Sequence, residues 1–433
     1  MAVTKVLNIG DCGNGYHGKH LKAAIDYIKN EEKTDGGRRV AFTLIIATVV
    51  FFQETGNSYA DIPKTTTPNP TISNAVVKTN EQVTNKQTTN KTNVKVNVKK
   101  ISIDTVTRKS GTISVSWKKN KKANGYRIQY SNDKDFKNVK NKNVKSASKT
   151  KTKIAKVNKS KNYYVRVSAY VKKNNKKYYS EWSNVAEVIA WNTKWEFAKN
   201  SKIHTDSPTL YFSNAAKKKN KTVCVNAGHG TKGGESVKTL CHPDGSSKVT
   251  GGSTSQGAIT ATSINGGTTL ADGTREATAT LKLAMTVKKQ LLKEGYNVLM
   301  VRESDDAQLD NIARTVFANN NADYHIALHY DSTSSNKGAF YISVPNNNKY
   351  RSMYPVSKNW KKHNNLGKNL VNGMRSAGVK IYGSGSMAID LTQTSYSTIP
   401  SVDLEVGDKR SDHSSKTLKK IAIGIGKGLN KIK

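Results

Sequence analysis

Between residues 99 and 191 hydrophobic and polar positions alternate with a period of two. Residues 112–117 set Ile113, Val115 and Trp117 on one face. Residues 125–130 do the same with Tyr126, Ile128 and Tyr130, and residues 163–169 with Tyr163, Val165, Val167 and Ala169. Short period-two runs divided by Asn, Lys and Gly turns predict an antiparallel sandwich. From about residue 220 the period changes. Residues 222–226 are a short apolar strand that stops at Gly228-His229-Gly230. Glu276 opens a helix whose apolar positions Ala277, Leu281, Ala284, Val287 and Leu291 recur at three- and four-residue steps, and Gly295 closes it. Strands are expected over 296–301, 325–329 and 401–406. Helices are expected after a cap at Asp306 (Ile312, Val316 and Phe317 inward), over 366–376 and over 415–429. This alternation predicts a multidomain chain: an α/β domain over 220–433, its mostly parallel sheet flanked by helices, after an all-β sandwich module over 99–191.

Upstream the periodicity is lost. Residues 61–98 are Thr, Asn, Lys, Val and Pro, which bury too little surface to offset the entropy of ordering, so a disordered linker is expected. Before it stand Arg38-Arg39, the apolar run 41–52 and a polar stretch ending Ser58-Tyr59-Ala60, the parts of a secretory signal over 38–60. Twelve apolar residues also suit a buried core helix; the basic and small-residue flanks favour the signal. Residues 1–37 precede it, with Gly15-Tyr16-His17-Gly18-Lys19-His20 and Ala24-Ile25-Asp26-Tyr27-Ile28. This opening resembles the first strand and helix of plasmid-mobilisation relaxases. The likeness ends before the paired-His metal motif and nucleophilic Tyr of that family. A gene-fusion or start-site remnant is expected, too small to fold alone, with no role for His17 or His20.

Composition narrows the classes. No apolar run reaches the ~20 residues that span a bilayer, and three Cys cannot staple a disulfide scaffold. The 71 Lys+Arg against 31 Asp+Glu give a net charge of +40, which implies anionic surroundings: nucleic acid, or a wall or membrane surface bearing phosphates.

The titratable residues of the α/β segment then choose. His229 follows a strand, His329 ends one, Glu405 ends the last one with Asp403 on the same face, and Glu276 begins a helix after a Gly-rich loop. Ligands of open α/β sheets bind beyond the carboxyl ends of the strands. Two His and one Glu make a catalytic zinc set with a fourth position for water. Zinc lowers the pKa of that water from 15.7 to ~7, and Glu405 can take its proton and pass it to a leaving amine. Singly each residue has a plainer reading. Gly-His-Gly marks a tight turn, His329 suits a hydrogen-bonded core histidine, Glu276 complements a helix N-terminus, and Glu405 suits a salt bridge. Their joint placement at one sheet edge favours the site.

Those residues also carry a resemblance. Val225-Asn226-Ala227-Gly228-His229-Gly230, Arg275-Glu276-Ala277, Ala327-Leu328-His329-Tyr330-Asp331-Ser332 and Val402-Asp403-Leu404-Glu405-Val406-Gly407 stand in the order found in the zinc-dependent N-acetylmuramoyl-L-alanine amidases. The segment 220–430 resembles that family. The resemblance implies Zn2+ on His229, Glu276 and His329, Glu405 as catalytic base and then acid, and cleavage between N-acetylmuramic acid and the L-Ala of the stem peptide. Three departures bear on substrate preference. Asn226-Ala227 replaces Asp-Pro before Gly-His-Gly, an insertion over 231–274 separates the first two ligands, and Gly407–Asp412 reads Gly-Asp-Lys-Arg-Ser-Asp.

The module has its own likeness: Trp117, Tyr163 and Ser180-Glu181-Trp182-Ser183 resemble a fibronectin type III domain. Its plain role is a spacer, its sharper one wall or carbohydrate binding through a Lys-rich surface. Of the remaining residues, His204, His363 and His413 read as surface positions. His325 is expected to reach the site edge, and Asp331 and Tyr396 to lie near it. Gly383-Ser384-Gly385 reads as a flexible loop. His242 beside Cys241 lacks the partners for a second metal. Cys224 and Cys241 can pair or stay buried thiols. The chain is expected to be a secreted or wall-associated, monomeric zinc amidase. Its partners are expected to be peptidoglycan and anionic wall polymers, with no nucleic acid and no stable membrane span. The alternatives are a non-catalytic wall-binding or adhesive protein on the same fold and, from the charge and residues 1–37, a nucleic-acid binder.

Overall fold

In the computed structural model, which describes residues 96–432, the period-two segments are strands. The relaxase-like opening, the signal-like segment and all but the last three residues of the expected linker lie outside the described residues. The strands run β1 (Ile103–Lys109), β2 (Thr112–Trp117), β3 (Gly125–Ser131), β4 (Lys140–Val144), β5 (Lys151–Ile154), β6 (Tyr163–Lys173), β7 (Lys176–Tyr179) and β8 (Ala186–Val188). β1, β2 and β5 form one antiparallel sheet; β4, β3, β6 and β8 form the other, with β7 also on β6. Successive side chains on a strand point to opposite faces, so Ile113, Val115 and Trp117 meet Tyr126, Ile128, Val165 and Val167 in one core. Each such burial stabilises by about 1.5–3 kcal/mol. The opposite face carries Arg127 and Arg166. Arg127 stacks on Tyr179 at 4.0 Å and Trp182 at 4.7 Å, and Arg166 on Trp182 at 4.5 Å and Phe136 at 4.0 Å. Trp182 is thus the shared rung of a cation–π ladder, each contact being worth about 0.5–1 kcal/mol.

The second half contributes β9 (Thr209–Tyr211), β10 (Thr222–Ala227), β11 (Lys238–Leu240), β12 (Thr260–Thr262), α1 (Glu276–Lys293), β13 (Asn297–Met300), α2 (Asn311–Asn321), β14 (Tyr324–Asp331) and β15 (Ala339–Ser343). α3 (Asn348–Ser352), α4 (Val356–Ser376), β16 (Ile381–Ala388), α5 (Thr392–Tyr396), β17 (Ser401–Asp408) and α6 (Ser415–Leu429) complete it. The strand order is β16-β15-β17-β14-β10-β13-β9. β13, β10, β14 and β17 are parallel, but β15 opposes β17 and β9 opposes β13, so the sheet is mixed. The reason is connection length. A parallel return needs a crossover of a dozen or more residues, whereas residues 332–338 span only a loop and leave β15 to run back from the edge where β14 ended. Val223 and Val225 face one side with Leu283 and Val287 of α1 and Leu370 of α4. Cys224 and Leu299 face the other with Ala313 and Phe317 of α2.

Three expectations change in detail. Asp310, not Asp306, caps α2 by accepting from the Ala313 N–H at 2.7 Å. α4 begins at Val356, ten residues before the expected start, because the inward positions of its first turns are the polar residues Asn359 and His363, which hide the apolar period. Gly383-Ser384-Gly385 lies within β16 and is not a loop.

β9 has a further effect. It pairs with β8 on one side and β13 on the other, so the sheet of the sandwich continues into the α/β sheet, and the described residues form one unit. Behind that seam Lys288 of α1 binds Glu303 and the Asp104 carbonyl, while Glu303 accepts from the Tyr211 hydroxyl and the Val106 N–H. The side chains of Lys288, Glu303 and Tyr211 are buried. No helix among the described residues is long and apolar enough to cross a membrane.

Candidate metal centre and active site

β10 delivers its chain to the carboxyl edge of the sheet, where Gly228-His229-Gly230 turns sharply. His229 itself adopts φ +60°, a region that L-residues enter at a cost. Gly228 is required by contact: a Cβ there would lie 2.3 Å from Cε1 of His329. Two buried arginines brace the turn. Arg302 donates to the carbonyls of Ala227 at 3.0 Å and Gly228 at 2.7 Å, and Arg314 to those of Ala227 at 2.9 Å and His229 at 2.7 Å. Sequence reasoning passed over both. The available signal was an Arg directly after a buried strand and another on the inward side of α2.

The turn brings His229 onto Glu276 and His329. Nε2 of His229 lies 2.8 Å from Oε1 of Glu276. Nδ1 of His329 lies 3.0 Å from that Nε2 and 3.1 Å from the same carboxylate oxygen. Glu276 starts α1, and backbone N–H groups hold it: Tyr330 donates to Oε1 at 3.0 Å and Thr268 to Oε2 at 2.9 Å. Nδ1 of His229 donates to the Asn265 carbonyl at 2.9 Å, which leaves Nε2 as the ring nitrogen turned toward the other two donors. Three donor atoms from three separate elements converge within 4.8 Å.

β14 and β17 run parallel with His329 beside Glu405 and Ala327 beside Asp403. Asp403 Oδ2 lies 3.9 Å from the outer nitrogen of His329. Buried atoms Oδ1 of Asp403 and Oε2 of Glu405 have no protein partner. Burial acts against the charge of His329, yet the carboxylates of Asp403, Glu276 and Glu405 outweigh it and push the ring up to about 10. Burial also acts against Glu276, but hydrogen bonds with both histidines hold its carboxyl well below the usual range. Glu405 is raised well above the usual range by burial first and by Asp403 second. Three carboxylates and two imidazoles thus crowd one space, and among the described residues no Lys or Arg forms an ion pair with Glu276, Asp403 or Glu405. A divalent ion with an N,N,O donor set fits it.

Other candidates fall elsewhere. His325 is fully buried four residues down β14, near Asn226 at 3.4 Å and Ser401 Oγ at 3.3 Å, and does not reach the donors. His363 is buried, not superficial: its Nδ1 accepts the Ser401 N–H at 2.9 Å. His204 is half-buried against Trp191, and His413 meets Asp272 at 3.0 Å. Tyr396 is buried against Phe197 and bonds the Leu240 carbonyl, away from the donors. His242 meets Asp390 at 3.1 Å and Ser246 at 2.9 Å, and Cys224 and Cys241 are free buried thiols. Asp331, at the end of β14, pairs with Lys337. The insertion contributes Asn265 and Thr268, which no local pattern marked.

The profile of the N-acetylmuramoyl-L-alanine amidase family matches residues 223–431. No curated protein matches the chain. Among solved structures, the N-acetylmuramyl-L-alanine amidase Ami1 of Mycobacterium abscessus is 18% identical over 49% of this chain and 97% of that chain, with a TM-score of 0.39. Ami1 of Mycobacterium smegmatis is also 18% identical, over 49% and 95%, with a TM-score of 0.40. The FN1–FN3 domains of chicken CNTN1 are 26% identical over 22% of this chain and 31% of that chain, with a TM-score of 0.19.

Proposed function

Taking residues 223–431 as an N-acetylmuramoyl-L-alanine amidase domain, with the peptidoglycan amidase function that belongs to it, we propose that zinc held by His229, Glu276 and His329 serves the hydrolysis and that Glu405 is its acid–base residue. The observation that carries this reading is the convergence of three donor atoms within 4.8 Å. When held by these residues, zinc would supply a water of pKa ~7, a hydroxide-like nucleophile near neutral pH.

Each protein group then has one task. Glu405 sits beside His329 in the parallel register and takes the proton of the attacking water. Its burial raises its proton affinity, which suits a group that must next donate that proton to the departing L-Ala amine. Asn265 holds His229 in the tautomer that turns Nε2 inward. Arg302 and Arg314 keep the His229 turn in place. The bond cut joins the lactyl carbonyl of N-acetylmuramic acid to L-Ala.

The chain would act outside the cell, at the wall, as a monomer, with residues 38–60 its export signal and residues 1–37 a remnant upstream. The sandwich over 99–191 would be a fibronectin type III-like module, consistent with Trp117 against Tyr126 at 5.1 Å and the Tyr163 hydroxyl accepting from the Asn158 N–H at 3.1 Å. Its partners would be peptidoglycan and anionic wall polymers.

The test measures zinc content and release of free L-Ala amines from purified peptidoglycan. Wild type should contain about one zinc and release amines; His229→Ala, Glu276→Ala and His329→Ala should lose both properties. Full activity in a metal-free preparation would overturn the assignment.

A further inference from the structure

The charge of the module is not spread evenly. From Phe136 to Ser180 the sequence holds fourteen Lys, one Arg and no Asp or Glu. Ten of those lysines fall between residues 137 and 161, all exposed, on β4, β5 and the turns that flank them. β4 and β5 are edge strands of the two facing sheets. On β5 the alternation sends Thr152 and Ile154 inward and Lys151 and Lys153 outward. The two edges are tied by Lys142, whose ammonium donates to the Lys153 carbonyl at 2.6 Å. Among the described residues none of the ten has a carboxylate within ion-pair distance. Clustered like charges repel, so this ridge is paired only from outside.

Where the ridge ends, Lys153 enters a cleft of about 670 Å³ between the sandwich and the α/β half. Arg108 and Lys109 line it on one side, and Arg302, Ser304 and Asp306 on the other, with Lys109 bound to Asp306 at 3.1 Å. Arg302 is the residue that braces the His229 turn. The continuous β8–β9–β13 pairing fixes the module to the α/β half, so the ridge is held at a constant bearing from the donor cluster.

We propose that the lysine edges formed by β4 and β5 are a docking surface for a phosphodiester-linked wall polymer, resting on the amidase reading above. Phosphate groups supply the missing anions, and a repeating polyanion matches a repeating row of ammonium groups. A nucleic acid offers the same backbone chemistry, but proteins that grip single strands add aromatic platforms for the bases, and residues 137–162 contain no Phe, Trp or Tyr. Edge lysines also block strand-to-strand aggregation. That role accounts for Lys140, Lys142, Lys151 and Lys153 but not for Lys137, Lys145, Lys149, Lys156, Lys159 and Lys161 outside the strands.

The experiment uses the full chain with Lys140, Lys145, Lys149 and Lys151 changed to Gln, leaving the Lys142 tie intact. Its control changes Lys358, Lys362, Lys368 and Lys419, exposed on the α/β half, so that both variants lose four charges. Binding is measured to purified poly(glycerol phosphate) and to walls before and after hydrofluoric acid has stripped their phosphodiester polymers. The module variant should bind poly(glycerol phosphate) about 10- to 100-fold less tightly at low salt, with the difference closing at high salt. It should match wild type on stripped walls and hydrolyse stripped peptidoglycan at the wild-type rate. An equal loss in the control would mean that net charge alone matters, and overturns the proposal. So does a wild-type chain that binds duplex DNA more tightly than poly(glycerol phosphate) through the same lysines. Unchanged binding accompanied by self-association of the module variant would reduce the ridge to edge protection. Polymer binding in a wild-type chain that releases no amines would sink the amidase reading and leave the docking surface standing.

Discussion

His229 donates from Nδ1 to the carbonyl of Asn265, 2.9 Å away, so the far end of the 231–274 insertion orients a residue at its near end. Two residues on, Gly267 has φ +78°, and a Cβ there would sit 2.6 Å from Cδ2 of His229 and 2.9 Å from Oε2 of Glu276. Gly267→Ala should therefore disturb both of these proposed zinc ligands at once. Zinc affinity, read by competition with a chromophoric chelator, should fall by about 10- to 100-fold, as when a ligand's supporting partner is lost. Wild-type affinity in this variant would mean that the insertion does not shape the site.

Glu276 and Glu405 differ in what surrounds them. Glu276 binds both histidines and two backbone N–H groups, whereas Oε2 of Glu405 has no protein partner. Glu276→Gln should release zinc. Glu405→Gln should keep zinc and lose about 10²–10⁴-fold in turnover, the usual contribution of a positioned acid–base group. Metal loss in the Glu405 variant with retention in the Glu276 variant would exchange the two roles.

Buried histidines make the fold sensitive to acid. Burial, with Arg314 adding repulsion, lowers His325 to about 3, and burial chiefly lowers His363 to about 3. Unfolded, each takes up its proton near pH 6.5. The unfolded chain therefore binds more protons between pH 6.5 and 3, and stability falls as pH drops through that window. Relative to wild type, His363→Gln should show a shallower loss of the urea midpoint between pH 7 and 4. Identical slopes would mean that His363 is not buried in its neutral form.

The seam at β9 rests on buried charge. Glu303→Gln leaves Lys288 without its anion behind β1 and should cost about 3–5 kcal/mol. Pairing it with Lys288→Met should recover much of that loss, since no buried ion is then unpaired. Equilibrium denaturation gives the magnitudes. Faster proteolysis between residues 189 and 209 in the single variant would report loosening of the module.

What the sequence determined by itself is local or repeats within a few residues. The period of two in 112–117 and 163–169 dictates strands with one apolar face, because side chains alternate across a pleat. The three- and four-residue steps after Glu276 dictate an amphipathic helix, because its turn is 3.6 residues. His229, Glu276, His329 and Glu405 were legible because each ends or begins such an element, and a sheet gathers those ends along one edge.

Tertiary structure decided the rest, where the partner lies far along the chain. β9 is three residues long, too short to carry a period, and it becomes a strand because β8 and β13 both offer it unpaired backbone groups. β15 runs antiparallel because seven residues cannot cross the sheet. Asn265, Arg302 and Arg314 matter through hydrogen bonds to the His229 turn and its ring that span 36, 74 and 85 residues. His363 is internal because the Ser401 N–H needs an acceptor there. A burial pattern tells which face of an element turns inward; which groups must satisfy one another inside is settled only when the distant segments are packed together.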